Sequence, residues 1–302
     1  MDLDGVIRSL VDAGSQCAFH GNPGDGIAPL TAAIKLGRAG RDVAMLARAS
    51  WLLQVCVAST GLFGSALHIG RELRQWAAAD TALQVQDFAA LSATTSASVL
   101  RQIGQYSRAQ ELDESALAIA GARVSFDARI GLAADAVGDD DIDQAESMWQ
   151  GALAASDDHD WRQQVRLGWV EAEIAFMSGD AAKAAEVGAR SSALARQARA
   201  PRHCAKSGLF WGVGLVGIGQ AAEGSQQLRS SLGIAMELEL GPLIWPIAGV
   251  LADVLGDDDP VAARGLRGQA WEAITTTAAD LPPNLARVWL ARPEIGRIET
   301  LK

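Results

Sequence analysis

The sequence repeats itself. In one copy a turn glycine, an aromatic and a small residue read Gly104, Tyr106 and Ala109 at the head of GQYSRAQELDESALAIA. Gly61, Phe63 and Ala66 open GLFGSALHIGRELRQW in the same manner, and Ile142 with Ala145 opens IDQAESMWQGALAAS. The outline continues at Gly179 and Ala184, at Gly219 and Gly224, and at Asp258 and Ala263. Aligned on their small residues, the copies place Ala66, Ala109, Ala145, Ala184, Gly224 and Ala263 at separations of 43, 36, 39, 40 and 39 residues. A period that steady marks an array of supersecondary units, each unable to bury its apolar face alone.

Each period holds two apolar stretches at helical spacing, such as Trp169, Ile174 and Phe176 before a turn and Val187 and Leu194 after it. The unit is therefore a helical hairpin, and its small aligned residues let the two helix axes approach closely. The turns carry GDDD twice, at Gly138–Asp141 and Gly256–Asp259, where a helix ends at glycine and acids open the next one. The expected fold is all-α, an α-α superhelix. Residues 1–42 are expected to form an N-terminal capping hairpin interrupted by the loop GNPGDG from Gly21, residues 43–280 the repeats, and residues 281–302 a capping helix and tail.

On these residues the chain resembles the tetratricopeptide repeat proteins. The G-x-Y-x-x-A stretch with the later Ala116-Leu117 is similar to the middle and second helix of that repeat, over about residues 43–275. The spacing exceeds the family's roughly 34 residues, so the resemblance implies longer helices or loops. The C-terminal stretch LPPNLARVWLARPEIGRI from Leu281 also resembles the tail that follows such repeats in large bacterial signal-transduction regulators. That likeness implies a repeat region of regulatory origin.

Composition narrows the function. A net charge of −10 has the wrong sign for holding nucleic acid phosphates. Three cysteines, Cys17, Cys56 and Cys204, cannot all pair with one another, which fits the cytoplasm. The longest apolar run, Gly208–Gly219, has twelve residues, well under a bilayer span. Neither a membrane nor a nucleic acid partner is expected.

Signatures of chemistry fail in detail. No phosphate loop surrounds Lys35, Lys183, Lys206 or Lys302, and the G-x-G-x-x-G string at Gly212, Gly214 and Gly217, with Glu237 beyond it, falls inside a helical stretch. Asp139, Asp141 and Asp143 mimic the opening of a calcium loop, but Gln144 and Gln150 occupy its glycine and glutamate positions. Cys17 with His20 and His203 with Cys204 lack zinc-ligand spacing. The four histidines fall in different repeats or loops, and Glu171 and Glu173 point in different directions. No enzyme activity, cofactor or metal is expected.

A solenoid's working surface is the concave face lined by the first helix of each hairpin. Projected on that face are Arg48, Trp51, Arg101, Arg166, Trp169, Glu173, Lys206 and Trp245. Guanidinium groups hold carboxylates through paired hydrogen bonds, and Trp gives a broad apolar surface with one donor. In peptide-binding tetratricopeptide proteins basic groove residues hold a peptide's carboxylates, and the resemblance implies that role for Arg166 and Lys206. The expected function is a non-enzymatic adaptor that binds a peptide or protein segment. The alternatives are a sensor closing around a small effector, marked by a closed aromatic pocket, and a self-association module forming a homodimer through an apolar edge.

Overall fold

The computed structural model describes residues 2–38, 42–119, 121–256 and 258–301. All regular structure among them is helical. Seven antiparallel hairpins follow one another: α1 (Leu3–His20) with α2 (Ile27–Gly37), α3 (Val43–Thr60) with α4 (Phe63–Ala77), and α5 (Leu83–Gln102) with α6 (Tyr106–Ile119). Next come α7 (Ala122–Gly138) with α8 (Ile142–Ala154), α9 (Trp161–Met177) with α10 (Ala181–Gln197), α11 (Pro201–Gly217) with α12 (Ala221–Glu237), and α13 (Gly241–Leu255) with α14 (Pro260–Asp280). Two short helices, α15 (Pro283–Leu290) and α16 (Pro293–Leu301), end the chain.

The repeat signal has a local physical origin. Ala66, Ala109, Ala145, Ala184, Gly224 and Ala263 each occupy the fourth position of a second helix, and all six are buried. Two residues before most of these helices the backbone turns through a left-handed residue, with φ of 73° at Gly179 and 83° at Gly219. That conformation favours glycine. Asp140 adopts it at φ 59°, and the next residue, Asp141, caps α8 by accepting from the Gln144 amide at 3.0 Å. Asp180 and Asp259 cap α10 and α14 in the same way, so several of the chain's acids serve helix N-termini. In the second GDDD turn, Asp257 lies outside the described residues.

First helices pack on first helices, α3 on α5, α5 on α7, α7 on α9, α9 on α11 and α11 on α13, forming an inner layer. Second helices form the outer layer. The apolar core is correspondingly a chain of clusters along the array, such as Phe126, Ile130 and Leu167 between α7 and α9. The glycines Gly212, Gly214 and Gly217 lie within α11, where a Cβ on Gly214 would come 2.5 Å from the Ala185 backbone nitrogen. They serve helix contact. Helix α3 is long and apolar enough to cross a bilayer by length and composition, and 44% of it is buried inside the protein.

The array curls until its ends touch. Helix α1 packs on α11, α3 on α13 and α4 on α14. At the last seam the Ser65 amide and hydroxyl donate to the two Asp280 carboxylate oxygens at 2.9 and 2.7 Å, and Gly64 lets the Asp280 backbone come close. His20 Nδ1 lies 3.0 Å from the Ala198 carbonyl at the first. The hairpin within residues 1–42 thus differs from a simple end cap, since α1 also closes the ring. The C-terminal tail is two helices, with Trp289 buried beside Phe63 at a ring separation of 6.4 Å.

Candidate functional site

Closure turns the concave face into a chamber of about 450 Å³, lined from α1, α3, α5, α7, α9, α11 and α13. A second cavity of about 680 Å³ adjoins it, with Phe19, Trp51, Leu91, Asp127 and Arg162 on both walls. The array bends far enough for its two ends to meet, so the open groove expected of a solenoid is drawn into a half-open pocket.

Seven of the eight residues projected on the concave face, Trp51, Arg101, Arg166, Trp169, Glu173, Lys206 and Trp245, line the chamber. Arg48 lies outside it, lining the adjoining cavity, with Asp12 3.4 Å away. Several of the seven are already engaged by the protein. Arg101 donates from Nε to Asp135 at 2.7 Å and from Nη2 to Asp113 at 2.8 Å, both carboxylates being buried. Burial pushes the Asp113 carboxyl well above the ordinary carboxylate range against the pull of Arg101. Trp169 is 7% exposed and donates from Nε1 to the Ser207 hydroxyl at 2.9 Å. Trp51, half-buried, lies between Phe19 and Phe88 at ring separations of 6.1 and 5.9 Å and donates to the Thr95 hydroxyl at 3.2 Å.

The chamber is polarised. On the wall made by α3, α5 and α13 stand Trp51, Val55, Ala58, Thr94, Ser98, Leu243 and Trp245. Beside Trp169, Val170, Leu209 and Phe210 of the same two helices, Arg162 and Arg166 are one turn apart on α9, and Arg202 and Lys206 are one turn apart on α11. These are the second and sixth residues of two consecutive first helices, separated by one 40-residue period. Asp127, the sixth residue of α7, is the preceding member of the same row and pairs with both Arg162 and Arg166. The Lys206 ammonium rests over the Trp169 ring at 4.4 Å.

Burial disturbs the four basic groups on α9 and α11. Burial, with neighbouring cations adding to it, pushes Arg166 and Arg202 down to about 10 and Lys206 down to about 8. His203 is 1% exposed, stacked on Trp169 at 5.3 Å and edge-on to Trp161 at 5.0 Å. Burial first, then Arg202, Arg162, Arg166 and Lys206, hold its imidazole well below the usual value, so it is neutral, and its Nδ1 has no hydrogen-bond partner among the described residues. Arg162, Arg202, His203 and Asp127 escaped the sequence projection. Shifting Arg166 and Lys206 back one helical turn, at the same 40-residue spacing, would have found the first two.

Most of the chain's length shares this architecture with a solved protein. Over 97% of this chain and 80% of the other, the structure matches that of a Rap protein complexed with competence and sporulation factor, with a TM-score of 0.60 at 11% identity. The chain is similar in fold to a Rap protein. The architecture is a tetratricopeptide-like α-α superhelix, a helical repeat protein as the period implied. No known protein family and no curated protein matches the sequence.

Proposed function

We propose that the protein is a non-enzymatic receptor that holds a short peptide segment inside its chamber. The observation that carries this is a half-open pocket of about 450 Å³ that brings Arg162, Arg166, Arg202 and Lys206 together with apolar and hydroxyl-bearing side chains of α3, α5 and α13. Ligand pockets of about 300–1,000 Å³ with few placed polar groups suit drug-sized guests. A chamber of this size suits a peptide of a few residues. The Rap protein of the same fold is complexed with a factor, which supports a binding role for the architecture. The resemblance to regulator repeats supports a cytoplasmic, regulatory setting.

A pool of random pentapeptides, incubated with the protein and then passed through size exclusion, tests the reading. Peptides are expected to elute with the parent protein and to be lost from Ser98→Trp, which places an indole in the chamber from the half-buried Ser98. Equal retention by parent and variant, or none by either, defeats it. The aromatic lining, Trp51, Trp169 and Trp245 among it, also favours a second reading, a sensor for a small effector, for which no peptide would be retained.

A further inference from the structure

The basic wall is underneutralised. Arg101 is committed to Asp113 and Asp135, and Arg292 to Glu294. Four further cations stand at the chamber, Arg162, Arg166, Arg202 and Lys206, against the carboxylates Asp127 and Glu173 and the one by which Asp113 and Asp135 outnumber Arg101. Arg162 and Arg166 share the single Asp127, and Arg202 has no ion pair among the described residues. Like charges one helical turn apart repel, and within a partly desolvated space that repulsion grows. The contrast with the whole chain, at net charge −10, sharpens the point: the protein is acidic, yet this one wall concentrates positive charge.

Arg202 and His203, in the first turn of α11, line the same chamber. Its cap position, Ala200, supplies no side-chain acceptor, so the first-turn amides of Arg202 and His203 lack the cap that Asp160 gives the amides of Arg162 and Gln163 in α9. His203 is nearly wholly buried in the chamber lining, and its Nδ1, sealed from the cavity, has no hydrogen-bond partner among the described residues. A helix start, three guanidinium groups and an ammonium share one requirement, an oxygen-bearing anion.

We propose that the chamber contains an oxyanion subsite formed by Arg162, Arg166 and Arg202 at the start of α11, and that its ligand is acidic. The group seated there is a carboxylate or phosphate, and the ligand's apolar part lies on the wall of Trp51 and Trp245. This rests on the chamber being the binding site; in the peptide reading, the anion is an Asp or Glu side chain. Paired hydrogen bonds from guanidinium groups set the geometry, while Lys206 adds charge from the next turn.

The experiment uses the full chain, Arg202→Gln, and Arg202→Lys, which keeps the charge. Arg202 makes no ion pair among the described residues, so the variants are expected to match the parent in circular dichroism and melting. The random pentapeptide pool is applied first, and inorganic phosphate is titrated separately against tryptophan fluorescence. Retained peptides enriched in Asp and Glu, bound at least about tenfold more weakly by Arg202→Gln and less affected by Arg202→Lys, support the subsite. Retained peptides without that enrichment, or with the same enrichment in Arg202→Gln, overturn it and leave the peptide reading standing. If no peptide is retained but phosphate perturbs the parent and Arg202→Gln weakens it about tenfold, the peptide reading falls while the subsite holds for a small anionic ligand. Silence in both arms overturns both.

Discussion

At the scale of single residues, the chamber sets groups that complete the fold against groups that strain it. Arg101 belongs to the first kind. Replacing it with Ala strands Asp113 and Asp135 among buried atoms, and removing one member of such a network costs about 3–5 kcal/mol. Arg101→Ala is therefore expected to lower the urea midpoint sharply; an unchanged midpoint would show that the two acids find other partners. His203 belongs to the second. Below about pH 6.5 an unfolded imidazole takes a proton that the folded one refuses, so the unfolded state binds more protons and stability falls as the pH drops. The limiting slope is about 1.4 kcal/mol per pH unit. The raised carboxyls of Asp113 and Glu173 act in the opposite direction, so the difference between the parent and His203→Phe isolates the histidine. The variant is expected to lose less stability than the parent between about pH 5 and 6.5. Parallel profiles would mean that His203 titrates as freely in the folded protein as in the unfolded one.

At the scale of the helix, the array is held by close approach between the second helix of one hairpin and the first helix of the next. Gly188 on α10 faces α11 so tightly that a Cβ would come 2.5 Å from the Trp211 backbone nitrogen. Backbone cannot move aside as a flexible side chain can, so Gly188→Ala is expected to destabilise by about 1–3 kcal/mol. Gly233 in α12 faces open space, and Gly233→Ala is expected to stabilise by about 0.5–1 kcal/mol through helix propensity alone. Urea denaturation of the pair checks both signs, and a stabilising Gly188→Ala would refute the packing account. This level was the most legible in the sequence. A small residue at a fixed helix position is a local requirement repeated in every hairpin, so Ala66 through Ala263 mark the register directly. The basic wall was half legible for the same reason: Arg166 and Lys206 follow from the repeat phase, whereas Arg162 and Arg202 sit at helix starts, where a register error of a residue or two hides them. Whether a Trp lines the chamber or fills the core was not legible, because both roles fall on the same helix face. Trp169 meets both descriptions, being buried and at the chamber wall.

At the scale of the whole molecule, the decisive property is closure, and it depends on contacts between residues far apart in sequence. No periodicity encodes them, since the superhelical pitch is the accumulation of small rotations between neighbouring hairpins. The two ends are held by specific polar contacts, chief among them Asp280 accepting from the Ser65 amide and hydroxyl. Each hairpin touches mainly its neighbours, so loosening the seam need not unfold the array: in a quasi-one-dimensional chain the cost stays local. Asp280→Ala leaves the Ser65 amide without that carboxylate and is expected to cost about 2 kcal/mol at the seam. Amide hydrogen exchange reads this directly. Protection is expected to fall in α4 and α14 and to stay unchanged in α9 and α10, across the ring from the cut. Because the chamber exists only while the ring is shut, the same variant should weaken retention of chamber ligands although no chamber residue has changed. If exchange quickens uniformly along the chain, the protein behaves as one cooperative block and the seam is not a separable gate. If α4 and α14 keep their protection, the Ser65–Asp280 contact does not hold the ring closed.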